Sequence, residues 1–354
     1  MTPFVYEAQP QRIVFGSGTL AAAGEELVRL GCARALVLST PQQAESAEAL
    51  ARNLGNLCVG AYTKAAMHTP IEITTEAVQV AEATEADCVI SLGGGSTTGL
   101  GKAIALRTHL PQIAIPTTYA GSEATPILGE TVAGRKTTQR SPQILPDVVL
   151  YDVELTLGLP VPLSVTSGLN AIAHALEARY ARERNPMISL MAIEAIRALV
   201  GALRRLVKSP RDRDARSDAL YGAWAAGTCL GSVGMALHHK ICHVLGGTFN
   251  LPHAETHAVI LPHAAAYNEV VVADLLAPIA ALLGNSSTGI GLYDLGQELG
   301  APLRLADIGM PRDGLDKAAD EIVASPYWNP RPVEREAIRQ LLEDAFEGKR
   351  PHLH

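Results

Sequence analysis

Residues 234–263, GMALHHKICHVLGGTFNLPHAETHAVILPH, hold six of the eleven histidines in the chain. His239 and His243 are four apart, so on a helix they share one face. Gly246, Gly247 and Pro252 separate His239 from His253, the spacing of a helix, a sharp break and a return. Upstream, SGLNAIAHALEARYA repeats the i, i+4 pattern with Asn170 and His174. Two such helices could aim four polar groups, Asn170, His174, His239 and His243, into one pocket, with His253 on the returning chain a further candidate. A solitary helical histidine is ordinarily a core or surface residue. Several on two apolar helices are another matter, because imidazoles cost free energy to bury unless they bind something or exchange protons. His238 lies about 100° around the helix from His239 and is a weaker candidate, as are His257 and His263.

The elements that must position these side chains follow from length and pattern. A chain of 354 residues allows one or two domains, and its 47% apolar content supplies large cores. Aromatics are only 4%, so those cores are aliphatic. A net charge of −7 with no basic stripe argues against nucleic acid as a partner. The five cysteines are scattered, odd in number and without a CxxC pair, which reads as free thiols in a reducing compartment. The N-terminus lacks the basic and apolar regions of a signal peptide, and no run reaches about 18 uninterrupted apolar residues. The expectation is a soluble cytoplasmic protein with no membrane partner.

Short β-rich runs alternate with helical patterns through the first part of the chain. Strands are expected at 12–16, 34–40, 58–63, 112–118 and 148–152, with 87–96 a buried strand running into a glycine turn, and helices at 19–30, 42–53, 70–86 and from 99 onward. That alternation predicts a parallel sheet with helices on both faces. Residues 119–150, rich in Thr, Gly, Arg and Gln, read as a hairpin or a long loop. After Leu159-Pro160 the strand signals nearly vanish. Helical periodicity covers 162–208, 212–230, 234–246, 270–284, 286–299, 312–324 and 332–347. The reading is therefore an α/β dinucleotide-binding domain over 1–158 and an all-helical substrate and catalytic domain over 159–354.

The nucleotide reading rests on GGGSTTGLGK (93–102), which follows a strand and opens a helix. Gly94 and Gly95 let the backbone approach a pyrophosphate, Ser96 adds a hydroxyl, and the helix N-terminus supplies N–H groups and positive potential. The loop is neither a Walker loop nor a G-x-G-x-x-G in the first βα unit. Two further strand ends would share the ligand crevice of an open α/β sheet, one bearing Ser39 and Thr40, the other Thr117 and Thr118. No acidic residue stands at the Ser39-Thr40 end to grip a ribose hydroxyl, so weak discrimination between NADH and NADPH is expected.

Taken together, RIVFGSG with GEE (12–26), GGGS…K (93–102), IPTT…GSE (115–123), LP…GLNAIAHALEA (159–178) and H-x3-H-x9-PH (239–253) resemble the group-III, iron-containing alcohol dehydrogenase family of the dehydroquinate-synthase-like superfamily. The resemblance spans nearly the whole chain. It implies a catalytic cleft between the two domains, a nicotinamide cofactor, no flavin and a homodimer. Metal-dependent members place their ligands at positions that are Asn170, His174, His239 and His253 here, with a further active-site histidine at His243. Two departures stand out. The family aspartate is Asn170, a neutral amide and a poor ligand for Fe²⁺ or Zn²⁺, and the family GGGS-x-x-D loop has Gly99 in place of its aspartate. With the late NPRPVEREAIRQLLEDAFEG, these departures resemble the maleylacetate reductase branch, which generally works without the metal.

That resemblance implies NADH- or NADPH-dependent reduction of the C=C bond of a small dianionic keto acid in aromatic-compound degradation, with chlorinated analogues also plausible substrates. Hydride addition to the carbon β to a ketone leaves an enolate, which polar donors can stabilise without a metal. His243 is then the first choice for acid or oxyanion donor. His174, His239 and His253, with Asn170, would bind substrate carboxylate or oxygen. Tyr119 is expected beside the nicotinamide or substrate, and Lys136 at cofactor phosphate or substrate carboxylate. The rival readings are a metal-dependent alcohol dehydrogenase of the same family, a dehydroquinate-synthase-like lyase and a non-catalytic nucleotide-binding protein. The lyase would need a denser Lys/Arg cluster than this chain carries, and the binding protein would have no use for the histidines.

Overall fold

The structure, a computed structural model, describes residues 3–132 and 135–352, with the backbone alone at 135 and 136. The strands are β1 Arg12–Gly16, β2 Ala35–Leu38, β3 Cys58–Tyr62, β4 Cys88–Gly93, β5 Gln112–Pro116, β6 Ile127–Val132, β7 Arg135–Arg140 and β8 Val148–Asp152. The helices are α1 Ala23–Arg29, α2 Ala44–Leu54, α3 Ile71–Ala83, α4 Gly95–Thr108, α5 Val161–Tyr180, α6 Pro186–Lys208, α7 Arg213–Ser232, α8 Leu237–Phe249, α9 His253–Leu283, α10 Thr288–Leu299, α11 Leu315–Ala324 and α12 Arg335–Glu347. They form two compact units, one of Ala8–Leu159 and one of Pro160–His354 with Met1–Glu7.

In the first unit six strands make one parallel sheet in the order β1-β8-β5-β4-β2-β3. The central strands are apolar on both faces, as a sheet covered by helices requires. Val37, Ile90, Ile113 and Leu150 face one core with α1 and α2, while Leu36, Leu38 and Val89 face the other with α3 and α4. The polar stretch 119–150 resolves as an antiparallel hairpin, with Ile127 opposite Arg140 and Val132 opposite Arg135. Burial alternates along β6, with Leu128 and Glu130 turned in, while Thr137 to Arg140 of β7 are all exposed.

In the second unit the 162–208 periodicity is two helices, not one. Asn185 caps α6, accepting from the Met187 and Ile188 N–H groups, and Pro186 occupies the first turn, where its missing donor costs nothing. The other departure is α9, which begins at His253 and not near 270. Pro262 within it masked the helical period. The helix bends at Val272, whose φ and ψ are non-helical. Helix α6 packs on α5 and α7, and α9 on α5 and α10; both are long and apolar enough to cross a membrane, and Met187, Leu190, Val270 and Val271 stay exposed.

Candidate active site

Strand β4 ends on Gly93, whose φ of 155° lies in the region that favours glycine, and α4 starts at Gly95. A Cβ on Gly93 would sit 2.4 Å from Thr97 Oγ1, and one on Gly94 would sit 2.9 Å from Thr118 Cγ2. The Thr97 and Ser122 hydroxyls beside this turn are buried with no hydrogen-bond partner among the described residues. Bare backbone, open N–H groups of a first helical turn and two unspent hydroxyls fit a nucleotide phosphate. Gly95 is exposed and Ser96 half-buried at the helix start. Thr117 sits at the end of β5, its Oγ1 accepting from Gln43 Nε2 at 3.0 Å. Ser39 and Thr40 follow β2, with Ser39 fully buried and its hydroxyl on the Thr40 carbonyl at 3.0 Å.

Three positions in this unit differ from the sequence reading or extend it. Tyr119, expected beside the nicotinamide or substrate, is wholly buried just past β5. Gly99, at the family's aspartate position, has Thr69 Oγ1 2.5 Å from where a Cβ would stand. Lys102 is a buried clamp. Its ammonium donates to the carbonyls of Ser122, Thr125 and Ile127 and to Thr125 Oγ1. Burial pushes that amine down to about 7, while nearby Glu123 pulls it back up. Lys136 stands in β7, and its side chain lies outside the described residues.

In the helical unit, α5 carries Asn170, His174 and Glu177 along one face. Helix α8 carries His238, His239 and His243, and α9 opens with His253 and His257. Asn250, with φ of 54°, ends α8 in a left-handed cap, and Pro252 starts α9, so the chain reverses and returns His253 to the cluster. Ring centroids are 5.1 Å apart for His174 and His239, 5.1 Å for His239 and His257, 6.2 Å for His239 and His243, and 4.3 Å for His253 and His257.

The start of α8 rests on a carboxylate. Glu177, fully buried, accepts from the Ala236 and His238 backbone N–H groups at 2.8 and 2.7 Å. It also meets His239 Nδ1 at 2.7 Å. A carboxylate so loaded is an acceptor, so His239 carries its hydrogen on Nδ1 and turns Nε2 away from Glu177. His239 Nε2, His174 Nδ1, His257 Nε2 and Asn170 Oδ1 are all buried with no hydrogen-bond partner among the described residues. Buried polar atoms left open in this way mark a place for a polar ligand. Desolvation first, then the neighbouring imidazoles, hold His174, His238 and His257 well below their ordinary pKa.

His238 and His257, rated weaker on spacing, are fully buried members of the cluster, joined Nε2 to Nδ1 at 2.9 Å. With Cys242 they form a trio whose ligating atoms lie within 4.8 Å. The 2.9 Å contact is a hydrogen bond, shorter than the roughly 3.3 Å between two nitrogens on one tetrahedral zinc. His263 lies elsewhere, lining a cavity of about 220 Å³ with Tyr267, Arg331, Gln340 and Asp344.

Two participants were missed. Glu177 was findable, since it follows His174 by three on an apolar helix face. Tyr327 was not: it comes from the segment between α11 and α12 and meets His243 Nδ1 at 2.8 Å.

One member of the donor set is unusual for a divalent ion. Where metal-dependent relatives would offer a carboxylate, Asn170 offers a neutral amide. The carboxylate that touches the cluster, Glu177, is committed to two backbone N–H groups and His239.

The sequence pattern of iron-containing alcohol dehydrogenases matches residues 10–153, and that of the C-terminal region of the Fe-containing alcohol dehydrogenase family matches residues 164–346. A maleylacetate reductase of Rhizobium sp. (strain MTP-10005) is 62% identical over 351 residues, covering 99% of this chain and 100% of that protein. One of Burkholderia cepacia is 56% identical over 351 residues, again 99% and 100%. The crystal structure of maleylacetate reductase from Agrobacterium tumefaciens superposes with a TM-score of 0.96 at 62% identity, over 99% of this chain and 100% of that one. A 1,3-propanediol oxidoreductase superposes at 0.90 with 25% identity, covering 98% and 100%. The chain belongs to the iron-containing alcohol dehydrogenase family, in its maleylacetate reductase branch.

Proposed function

We propose that this protein reduces the C=C bond of maleylacetate to give 3-oxoadipate, using NADH or NADPH without a flavin and without a resident metal. The observation that carries the reading is the cluster of open, buried nitrogens on His174, His239 and His257 beside a neutral Asn170. His239 Nε2, with its hydrogen on Nδ1, and Asn170 Oδ1 are open acceptors, so the pocket offers both donors and acceptors to a small polar substrate. The α/β unit would hold the dinucleotide at Gly94, Gly95 and Ser96 and at the strand ends bearing Ser39, Thr40, Thr117 and Thr118. The helical unit would hold the substrate. When bound, the nicotinamide supplies the hydride.

The protein's own residues then have three tasks. The first is to bind a small dianion, for which His174, His253 and the Asn170 amide would offer donors, while His239, whose one hydrogen is on Nδ1, would donate from Nε2 only when protonated. The second is to stabilise the charge that develops on the ketone oxygen, which preorganised donors in a dry site do without reorganisation. The third is to protonate the carbon next to the ketone, and the half-buried position of His243 at the edge of the cluster supports giving it that task. A chlorine on the hydride-accepting carbon would leave as chloride after reduction. We take the working enzyme to be a soluble, cytoplasmic homodimer, on the family likeness.

The test is oxidation of NADH, and separately of NADPH, by freshly generated maleylacetate, before and after prolonged EDTA treatment, with metal analysis of the same sample. Turnover unchanged by chelation, no stoichiometric metal and comparable KM values for the two cofactors are expected. Activity restored only by Fe²⁺ or Zn²⁺ would place the metal-dependent chemistry here despite Asn170.

A further inference from the structure

We infer that the cavity between α9 and α12 is a second ligand site, which takes a neutral single-ring hydroxyl compound of the phenol class. It lies within the helical unit, and none of its lining residues belongs to the histidine cluster. Its occupancy is independent of the reaction proposed above.

Size and wall shape come first. The volume is about 220 Å³, and an apolar cavity of roughly 150 Å³ already takes benzene, so one ring with a substituent fits. Helix α12 presents Ala337 and Leu341, four apart and so on one face, beside Gln340 and Asp344, again four apart. From α9 comes Tyr267, whose hydroxyl donates to the Pro332 carbonyl, which leaves the ring itself as the surface. Arg331 lies over that ring at 4.1 Å and donates from Nη1 to the Tyr267 carbonyl at 3.0 Å. The two planar groups make a flat wall that a ring can lie along. The wall is also held from behind: Asn329 exchanges a pair of amide hydrogen bonds with Asn268 of α9, at 2.9 and 2.7 Å. A wall fixed in this way lowers the ordering that binding requires.

Charge and hydrogen bonding then choose the substituent. Glu336 and Asp344 set two carboxylates against the one guanidinium of Arg331, so an anion is disfavoured. Asp344 is buried, with Oδ1 accepting from Gln340 Nε2 at 2.9 Å and Lys349 Nζ 3.9 Å away. A carboxylate has about four lone-pair sites, so Asp344 keeps capacity for a further donor. His263 is buried, and its Nε2 has no hydrogen-bond partner among the described residues. Burial pushes that imidazole down to about 4, so near pH 7 it is neutral. A buried polar atom without a partner marks a place for a polar ligand group. A hydroxyl answers either tautomer of His263, since it both donates and accepts, and it can donate to Asp344. A carboxylate in its place would face two like charges, and a bare hydrocarbon would leave His263 unanswered.

The experiment is isothermal titration calorimetry of the full-length protein with phenol, toluene and benzoate. Phenol is expected to bind at a single site, with toluene and benzoate each weaker by about tenfold or more, the effect of one hydrogen bond lost or one charge opposed. Ala337→Trp fills the cavity from α12 and leaves its polar groups in place. It is expected to weaken phenol by about tenfold or more while turnover of maleylacetate stays at the wild-type rate. Phenol should also raise the melting temperature of wild type and not that of the variant, because a ligand stabilises only the state that binds it. No binding of phenol up to its solubility would overturn the site. So would equal binding by wild type and a folded Ala337→Trp, or displacement of phenol by NADH or maleylacetate, either of which puts phenol in the cleft already described. Toluene or benzoate bound as tightly as phenol would overturn the ligand class. If Ala337→Trp does not fold, a wild-type crystal soaked in phenol decides: a ring between Tyr267 and Leu341 supports the site, and a ring found only elsewhere sinks it.

Discussion

At the scale of the residue, the site is organised by what each imidazole is bonded to on its far side. Glu177 does two jobs with one carboxylate: it caps α8 and fixes the tautomer of His239. Those jobs can be separated from mere volume by Glu177→Gln. The amide has the same shape, but its NH₂ must face either a backbone N–H or His239 Nδ1. One buried donor is then left opposed to another, at about 1–3 kcal/mol. Glu177→Gln is expected to lower stability by that amount in denaturant titration and to cut kcat/KM for maleylacetate at least tenfold, by about the effect of one misplaced hydrogen bond. Equal kcat/KM in the two proteins would remove Glu177 from the site's design. The histidines themselves were legible, because i, i+4 spacing places side chains together within one helix. Tyr327 was invisible, because nothing local links SPYWN to HHKICH.

At the scale of the element, glycines and one lysine shape the turn after β4, where the dinucleotide is proposed to bind. The run Gly93-Gly94-Gly95 was readable as a close-approach turn, and the short distances to Thr97 and Thr118 give the reason. Lys102 was part of the recognised motif, yet its work is structural. It ties the carbonyls of Ser122, Thr125 and Ile127, just past the strand end that bears Thr117 and Thr118. Lys102→Met leaves those three buried acceptors without the ammonium. Each unmade bond costs about 1–3 kcal/mol, so a loss of at least about 3 kcal/mol is expected in urea unfolding, along with weaker binding of NADH by fluorescence titration. A variant as stable as wild type would show that the clamp is idle. Gly99 has a similar lesson. An aspartate there would collide with Thr69, so the departure from the family pattern is packed for and is not a simple vacancy.

At the scale of the whole molecule, the buried histidines make stability depend on pH. His263 is pushed down to about 4 by burial, and His174, His238 and His257 lie well below their ordinary value. An unfolded imidazole takes a proton below about pH 6.5, and these folded ones do not until well below that. The unfolded state therefore binds more protons in that window. Their contribution is present above about pH 6.5 and is lost as pH falls, by about 1.4 kcal/mol per pH unit for each such histidine. The melting temperature is expected to fall steeply from pH 7 to pH 5, and less steeply in His263→Gln. Identical slopes in the two proteins would mean that His263 is protonated in the fold.

The sequence by itself determined the alternating strands and helices of the first unit, the helical character of the second, the phosphate turn and the set of histidines. All of these are local patterns of period and residue type, and local sterics and burial act over a few residues. The tertiary structure alone decided the strand order and the division of 162–208 at the Asn185 cap. It also decided the long α9 through Pro262, the inward turn of His238 and His257, and the far-side partner Tyr327. Those outcomes depend on which elements pack together. A hydrogen bond such as that from Tyr327 to His243 spans 84 residues of chain and leaves no periodic trace along it.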